Sequence, residues 1–542
     1  LECGAVDEPT TPREHQGAGR DGECVLAIDL GTSGPKVALV SLDGDMLACT
    51  SAATSLRLLP GGGAEQDPDD WWRAIVEATA ALWRAGHRGD QVVAVCVTSQ
   101  WAGTVAVARD GRPLHPAITW MDTRGARYMP ARVGGLLRVQ GYGAGKLARW
   151  IARTGGIPSL AGKEPVAHLE FLRHERPEIF RDAHMFLEPK DWLNHRLCGR
   201  FCATYDSIAL HWVTDNRDID RVAYDEQLLG MIGIERRRLP ELVAATAVIG
   251  TVGADAAAAL GLRGGVKVFG GTPDVQSAAI GSGAARDFEP HLYIGTSSWL
   301  SCHVPFKKTD ILRNVASLPS ALPGRYFAAN SQETAGACMN WLRDRVFWPA
   351  DAADPTPPPP DALARIDALA ATVAPGAEGV TFAPWLFGER CPDADPLVRA
   401  AWLGLSLGSG RGELARAVLE GVALNTRWLL EAVEHFVGRR LDAIRMIGGG
   451  ASSTLWCQIH ADVLDREILQ VQDPVRCNAR GAAFVALLGL GRLRVDEIAA
   501  KVPVAARHRP RAAHRALYDG LYRQHRALWK QHRDALRSRA PA

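Results

Sequence analysis

The residues best placed to do chemistry begin with a carboxylate at the end of an apolar run. In Cys24 to Val40, CVLAIDLGTSGPKVALV, the run Val25 to Ile28 ends at Asp29, the turn Leu30-Gly31-Thr32-Ser33-Gly34 follows, and a β-rich run from Lys36 to Val40 leaves it. That pattern predicts a hairpin with a carboxylate at its mouth. Two glycines let backbone N–H groups point into the turn, Thr32 and Ser33 add hydroxyls, and Lys36 adds a cation, a concavity that suits phosphate oxygens. Asp29 would hold a magnesium ion against the same phosphates, directly or through water. An ordinary tight hairpin is the competing reading of the turn alone.

A second carboxylate ends another strand. Val266 to Phe269 runs into Gly270-Gly271-Thr272-Pro273-Asp274 and then an Ala-rich segment, which puts Asp274 at a strand's carboxyl end beside a helix N-terminus. It can face a ligand there, or serve only as an N-cap. In Ile118 to Arg124, Asp122 and Arg124 are two residues apart, on one side if the strand continues. That spacing suits hydroxyl recognition or a surface salt bridge. Ile444 to Ile447 is followed by Gly448-Gly449-Gly450-Ala451-Ser452-Ser453 and a helix from near Thr454, a turn that a flat or phosphorylated ligand can approach closely. That turn is not a GxGxxG, and no Walker lysine motif occurs anywhere, so neither a Rossmann nor a P-loop assignment is supported.

These residues need elements to hold them. Asp43-Gly44 turns the chain into Met46 to Thr50, giving three antiparallel strands. Glu65-Gln66-Asp67-Pro68 opens a helix from Trp71 to about Ala85, and Val92 to Val97 is a buried strand ending at Thr98-Ser99-Gln100. The order β-β-β-α-β is that of an α/β lobe whose strand ends collect ligands. The pattern then recurs, because His291 to Ile294, Gly295-Thr296-Ser297-Ser298 and Trp299 to Val304 echo the first hairpin, with Ile294 at the strand's end and no carboxylate to match the strand-terminal Asp29. Tyr326 to Ala329 as a third strand and Ala335 to Val346 as a helix complete the repeat. This predicts a duplicated lobe with two hairpins facing one cleft. Glu188 to Leu193, EPKDWL, reads as scaffold; residues 351–361 read as a proline-rich surface loop or hinge. A long helix is expected from Glu413 to Phe436. The basic segment Ala512 to Arg539 is expected to dock as a helix, its arginines in solvent.

Composition narrows the partners. At 542 residues the chain exceeds a single core, and two large lobes are the simplest division. A net charge of +2 gives no global reason to expect nucleic acid, and no apolar run is long enough for a membrane span. The 11 cysteines are scattered, with no CxxC pair and no secretion signal, so reduced core thiols and a cytoplasmic location are expected. Residues 1 to about 22 are polar and rich in Gly and Pro, as in a disordered leader.

The blocks DLGTSGPKV, EQDPDDWW, WMDTRG, PKDWL, GGTPDVQ, YIGTSSW, FGERCP, RAVLEG (Arg416 to Gly421) and MIGGGASS, in this order, resemble the FGGY carbohydrate kinases, above all their xylulokinase-like branch. The resemblance spans roughly residues 24 to 500. It implies an α/β, two-lobed actin/hexokinase-type fold of duplicated ribonuclease H-like domains: residues 24–284 on the sugar and phosphate side, 285–500 on the nucleotide side, after a leader 1–23 and before a helical tail 501–542. By position, Asp274 matches the family's general base and Asp29 its magnesium-organising carboxylate. Gly31, Thr32 and Ser33, with Lys36 beside them, match the first phosphate turn, and Gly295 and Thr296 the second. Gly449, Gly450 and Ala451 match the loop beside the adenosine, while Gln100, Trp101 and Asp122 fall where sugar contacts lie.

The resemblance therefore implies transfer of phosphate from ATP, with Mg2+, to a hydroxyl of a small sugar or polyol such as the ketopentose xylulose. It leaves open assembly as a homodimer. One departure bears on the acceptor: where xylulokinases resemble Gln-Met-His-Gly and glycerol kinases carry an Arg-Glu pair, this chain has Gln100-Trp101-Ala102-Gly103, which argues against glycerol and reshapes the sugar pocket. The rival readings are an ATP-driven assembly protein of the actin or Hsp70 kind and an idle sugar-binding relative.

Overall fold

The structure is a computed structural model that describes residues 22–352 and 355–537. Most of the expected leader lies outside the described residues, and the first strand starts at Cys24. The N-terminal lobe is built on six strands: β1 (Cys24–Gly31), β2 (Gly34–Ser41), β3 (Met46–Ser51), β4 (Val92–Ser99), β5 (Val248–Thr251) and β6 (Lys267–Pro273), in the order β5-β6-β4-β1-β2-β3. β1, β4 and β6 run parallel; β2, β3 and β5 are antiparallel to their neighbours. Apolar side chains fill both faces of β1, whose residues Cys24 to Leu30 are all buried.

The predicted hairpin is present with a two-residue turn, Thr32-Ser33. Gly34 has φ +138°, and a Cβ there would lie 2.1 Å from the Ala52 carbonyl oxygen, so only glycine fits. The expected β-β-β-α-β order needs correction. Two further short strands, Arg57–Leu59 and Gly63–Gln66, intervene before helix α1 (Pro68–Arg84). Glu65 and Gln66 are therefore strand residues, and Asp67 starts the helix by accepting the Asp69 N–H, with Pro68 at the first position. Between β4 and β5 an insertion with its own core around Trp150, Phe171, Phe186 and Trp212 carries helix α2 (Pro189–Cys198). Helix α3 (Asp274–Ser282) leaves β6 directly.

The C-terminal lobe repeats this plan on β7 (His291–Ile294), β8 (Ser298–Ser301), β9 (Ile444–Ile447), β10 (Ile468–Val471) and β11 (Val504–His508), ordered β8-β7-β9-β10-β11. β7, β9 and β10 are parallel, and β11 is an antiparallel edge as β5 is in the first lobe. Two expectations change here. Tyr326–Ala329 does not extend this sheet but joins a separate four-stranded one, and the helix after it is α-helical only over Gly336–Leu342. The chain beyond residue 500 is not simply a tail, because β11 completes the second sheet. Helix α4 (Arg411–Val437) is the long central helix of this lobe, α5 (Thr454–Leu464) follows β9, and α6 (Cys477–Gly489) follows β10. The last helix, α7 (Arg515–Arg537), docks on α4: Tyr518 Oη donates to Glu420, Arg427 pairs with Asp519, and Trp529 is buried against Trp385 and Trp428.

The lobes meet where α3 packs on α6. A Cβ on Gly281 would lie 1.8 Å from the Cys477 carbonyl oxygen, and one on Gly481 would lie 1.9 Å from that of Ser277. The contact is reciprocal at a spacing of four residues on each helix, as a pseudo-two-fold relation between duplicated lobes requires. Ser277 Oγ seals it by donating to the Asn478 carbonyl at 2.7 Å. The described cysteines are free thiols, most of them buried, and among the described residues no helix is long and apolar enough to cross a membrane.

Candidate active site

Asp29 and Lys36 are cross-strand partners in the first hairpin, so their side chains share a face, and Lys36 Nζ stands 3.8 Å from Asp29 Oδ2. Asp29 is buried, which raises its pKa, while Lys36 and the Asn478 side chain from the other lobe act in the opposite direction. Its Oδ1 is buried and makes no hydrogen bond. An orphaned, partly charge-balanced carboxylate oxygen fits a magnesium ion held by one or two carboxylates plus substrate phosphates.

Asp274 is the first residue of α3 and not its N-cap, the position Pro273 takes. Its Oδ1 accepts the Val275 N–H at 2.8 Å. The side chain is half-buried, and its pKa is pushed up to about 7, first by burial and then by the charge of Asp29. The two carboxylates thus share one site. Tyr293, one residue before the end of β7, faces both of them from the second lobe and stacks on Trp299 at 4.0 Å.

The two turns are finished differently. Thr32 Oγ1 donates to Gln100 Oε1 at 3.1 Å and accepts from Trp120 Nε1 at 3.1 Å, and Gln66 Nε2 donates to the Thr32 carbonyl. Thr32 and Gln100 are therefore brought together, and Trp120 and Gln66 join them without having been singled out. Ser33 is exposed. In the second hairpin, the carbonyls of Gly295 and Thr296 accept N–H groups of Ala335, Gly336 and Ala337. A Cβ on Gly448, which has φ +86°, would lie 2.5 Å from the Ile294 carbonyl oxygen, and one on Gly450 would lie 2.4 Å from Ile294 Cγ2. The end of β7, which leads into Gly295-Thr296, and the Gly448–Ala451 turn consequently abut.

Asp122 does not behave as a free sugar contact. The strand stops at Ile118, and the fully buried Asp122 carboxylate is spent on Arg124 (2.7 Å) and on the backbone N–H groups of Ala64 and Arg124. The ion-pair alternative holds, though buried and with Glu65 as a third member. Trp101 stands at the head of the loop that leaves β4, its Nε1 donating to the Ser207 carbonyl at 2.9 Å.

Sequence reasoning missed a buried network beneath this loop. Lys190 pairs with Asp191 and donates to the Gly270 carbonyl at 2.9 Å; Asn194 donates to the same oxygen at 2.8 Å; Thr272 donates to Asp206 at 2.5 Å. The two bonds to Gly270 tie α2, and the Thr272 bond ties Asp206 beyond it, to the strand that delivers Asp274. Two charged residues opening an otherwise buried helix were the available signal.

Family models for the N-terminal and C-terminal domains of the FGGY family of carbohydrate kinases match residues 24–281 and 292–490. Among individual proteins, the chain is 29% identical over 515 residues to a xylulose kinase of Staphylococcus epidermidis, covering 94% of this chain and 97% of that one. It is 29% identical over 508 residues to a glycerol kinase of Citrifermentans bemidjiense, covering 90% and 94%. In fold it is similar to the gluconate kinase of Lactobacillus acidophilus, with a TM-score of 0.82 at 23% identity, covering 96% of this chain and 100% of that one. Those neighbours share the two-lobed, actin/hexokinase-like architecture, and the family match sets aside the assembly-protein reading. With both domain models matched in order across most of its length, the chain belongs to the FGGY family of carbohydrate kinases, phosphotransferases that use ATP as donor.

Proposed function

We propose that this carbohydrate kinase phosphorylates a hydroxyl of a small ketose, with xylulose the first acceptor to test, and that Asp274 is its general base. The observation that carries this reading is the half-buried Asp274 carboxylate at a helix start, its pKa at about 7, sharing one site with Asp29. A base poised near neutrality can accept a hydroxyl proton as the phosphoryl group transfers. Asp29, its Oδ1 free of hydrogen bonds, would hold Mg2+, which when bound neutralises phosphate charge. The first lobe would hold the acceptor near Gln100 and Trp101 and offer Gly31, Thr32, Ser33 and Lys36 to phosphate. The second would hold the nucleotide along Gly295, Thr296, Gly449, Gly450 and Ala451.

Xylulose is favoured by the relatives of that name, which cover nearly the whole chain. Transfer needs alignment and charge neutralisation more than covalent chemistry, which agrees with a site built from two carboxylates and three glycine turns. A coupled ATP-consumption screen over pentuloses, hexuloses, pentitols and aldonates identifies the acceptor. Asp274→Ala is expected to abolish turnover of that acceptor while leaving nucleotide affinity within a few-fold; full activity in the variant would overturn the assignment.

A further inference from the structure

We infer that Glu188 is a positioning residue that locks the Trp101-Ala102-Gly103 loop and so sets acceptor preference. The inference rests on the reading of this loop as the acceptor side. The loop is unusual in its backbone. Its start is anchored where the Gln100 N–H donates to the Leu30 carbonyl of β1 at 2.8 Å. Ala102, buried, then takes φ +62°, a left-handed conformation that residues with a Cβ rarely adopt and that persists only where the surroundings impose it.

Glu188 supplies the constraint. Its Oε2 accepts the Gly103 N–H at 3.0 Å, and the Ala102 N–H also faces its carboxylate. A Cβ on Gly103 would lie 2.6 Å from Pro189 Cγ, so the loop is pressed onto the residue that follows Glu188. The carboxyl group is held there at a cost. Burial, reinforced by Asp191, drives its pKa well up; its Oε1 has no hydrogen bond; and His211, whose Nδ1 is 3.7 Å away, is itself held neutral by burial, with a pKa near 3. The backbone N–H groups of Gly103 and Ala102, and Lys190, itself paired with Asp191, offset this only in part, and a buried acid held at such a cost is the kind of local violation that is retained for a task.

The task is separable from the rest of the network. Lys190, Asn194 and Asp206 hold the Gly270–Thr272 strand end, whereas Glu188 touches the acceptor loop. Trp101 is fixed in parallel through Ser207, whose Oγ donates to Asp191. Removing the Glu188 carboxylate should therefore free the acceptor loop and leave the base and the nucleotide turn in place.

The test compares Glu188→Ala, Glu188→Gln and the double variant Glu188→Ala/Ala102→Gly. The Ala variant should raise acceptor KM about tenfold or more, the scale of a small misplacement of a binding group, with ATP KM changed less than twofold. Gln, which still offers an oxygen to Gly103, should restore most of the loss, and so should glycine at 102, which adopts the positive φ freely. Hydrogen exchange gives a readout independent of turnover: residues 101–104 should exchange faster in Glu188→Ala while residues 448–453 do not change. Acceptor KM within twofold of the parent, or acceptor and ATP KM rising together in step with a lowered Tm, would overturn the inference. If no acceptor is turned over by the parent protein, the kinase assignment of the acceptor fails. The exchange result then decides alone, with unchanged exchange at 101–104 refuting the lock.

Discussion

The two hairpins, Cys24–Ser41 and His291–Ser301, share a strand-turn-strand frame, a Gly-Thr-Ser turn and a parallel third strand, yet two residues before the turn's glycine the first has Asp29 and the second Tyr293. In the first lobe that side chain is a buried acid facing Lys36, with one oxygen left open. In the second it is a ring stacked on Trp299, and Ile294 beside it is an apolar wedge against which Gly448 and Gly450 close. One frame, closed by a two-residue turn in the first lobe and a three-residue turn in the second, thus carries a buried charge in one copy and in the other an apolar contact that brings two backbone turns together. The same holds one strand over: β4 leads into the Trp101-Ala102-Gly103 loop, and its counterpart β9 leads into the glycine turn.

The contrast is open to direct challenge. Asp29→Asn should cost on the order of 10²- to 10³-fold in kcat, since it removes the charge we propose anchors the metal, yet leave Tm unchanged or raised because a buried charge disappears. Ile294→Ala should do the reverse, destabilising by about 2–5 kcal/mol and weakening ATP binding with a smaller effect on kcat. If both substitutions damage the same property, the division of labour is wrong. At the lobe junction, Gly281→Ala and Gly481→Ala should each destabilise by about 1–3 kcal/mol, because each methyl meets a backbone carbonyl. Matching losses in thermal unfolding support the pseudo-two-fold contact, and harm from only one would break it.

Asp274 adds a pH signature. Its folded pKa, about 7, lies above the ordinary carboxylate value of 3.8, so between those values the folded protein binds more protons than the unfolded chain and loses stability as pH rises. Asp274→Asn should therefore raise Tm above pH 7 and have little effect near pH 4. The smallest expected change is in the loop: Trp101→Phe, which forfeits the bond to Ser207, should raise acceptor KM by about threefold and leave ATP KM alone.

Much of this was readable from local pattern. Asp29, Asp274 and the three glycine turns sit where an apolar run stops, and strand ends in α/β folds are where ligands bind. Two kinds of feature were not readable. The strand Val504–His508 joins its sheet through register with residues more than thirty positions away, and the α3–α6 contact pairs residues about two hundred apart. Chemistry behind the site was hidden as well: Glu188, Lys190 and Asp191 look like a solvated helix start, and only the fold shows them buried under two site segments. Asp122 shows the opposite failure. Its residue type suits hydroxyl recognition, but packing hands it to Arg124.

The central claim is that Asp274 takes the acceptor's proton in the cleft it shares with Asp29. The most direct test is the pH dependence of kcat/KM for the acceptor, measured beside Asp274→Asn. The parent's rate should rise with pH through an apparent pKa near 7, and the variant should be about 10³-fold slower with that inflection gone. An inflection that survives in Asp274→Asn, or a variant rate within a few-fold of the parent, would contradict the account.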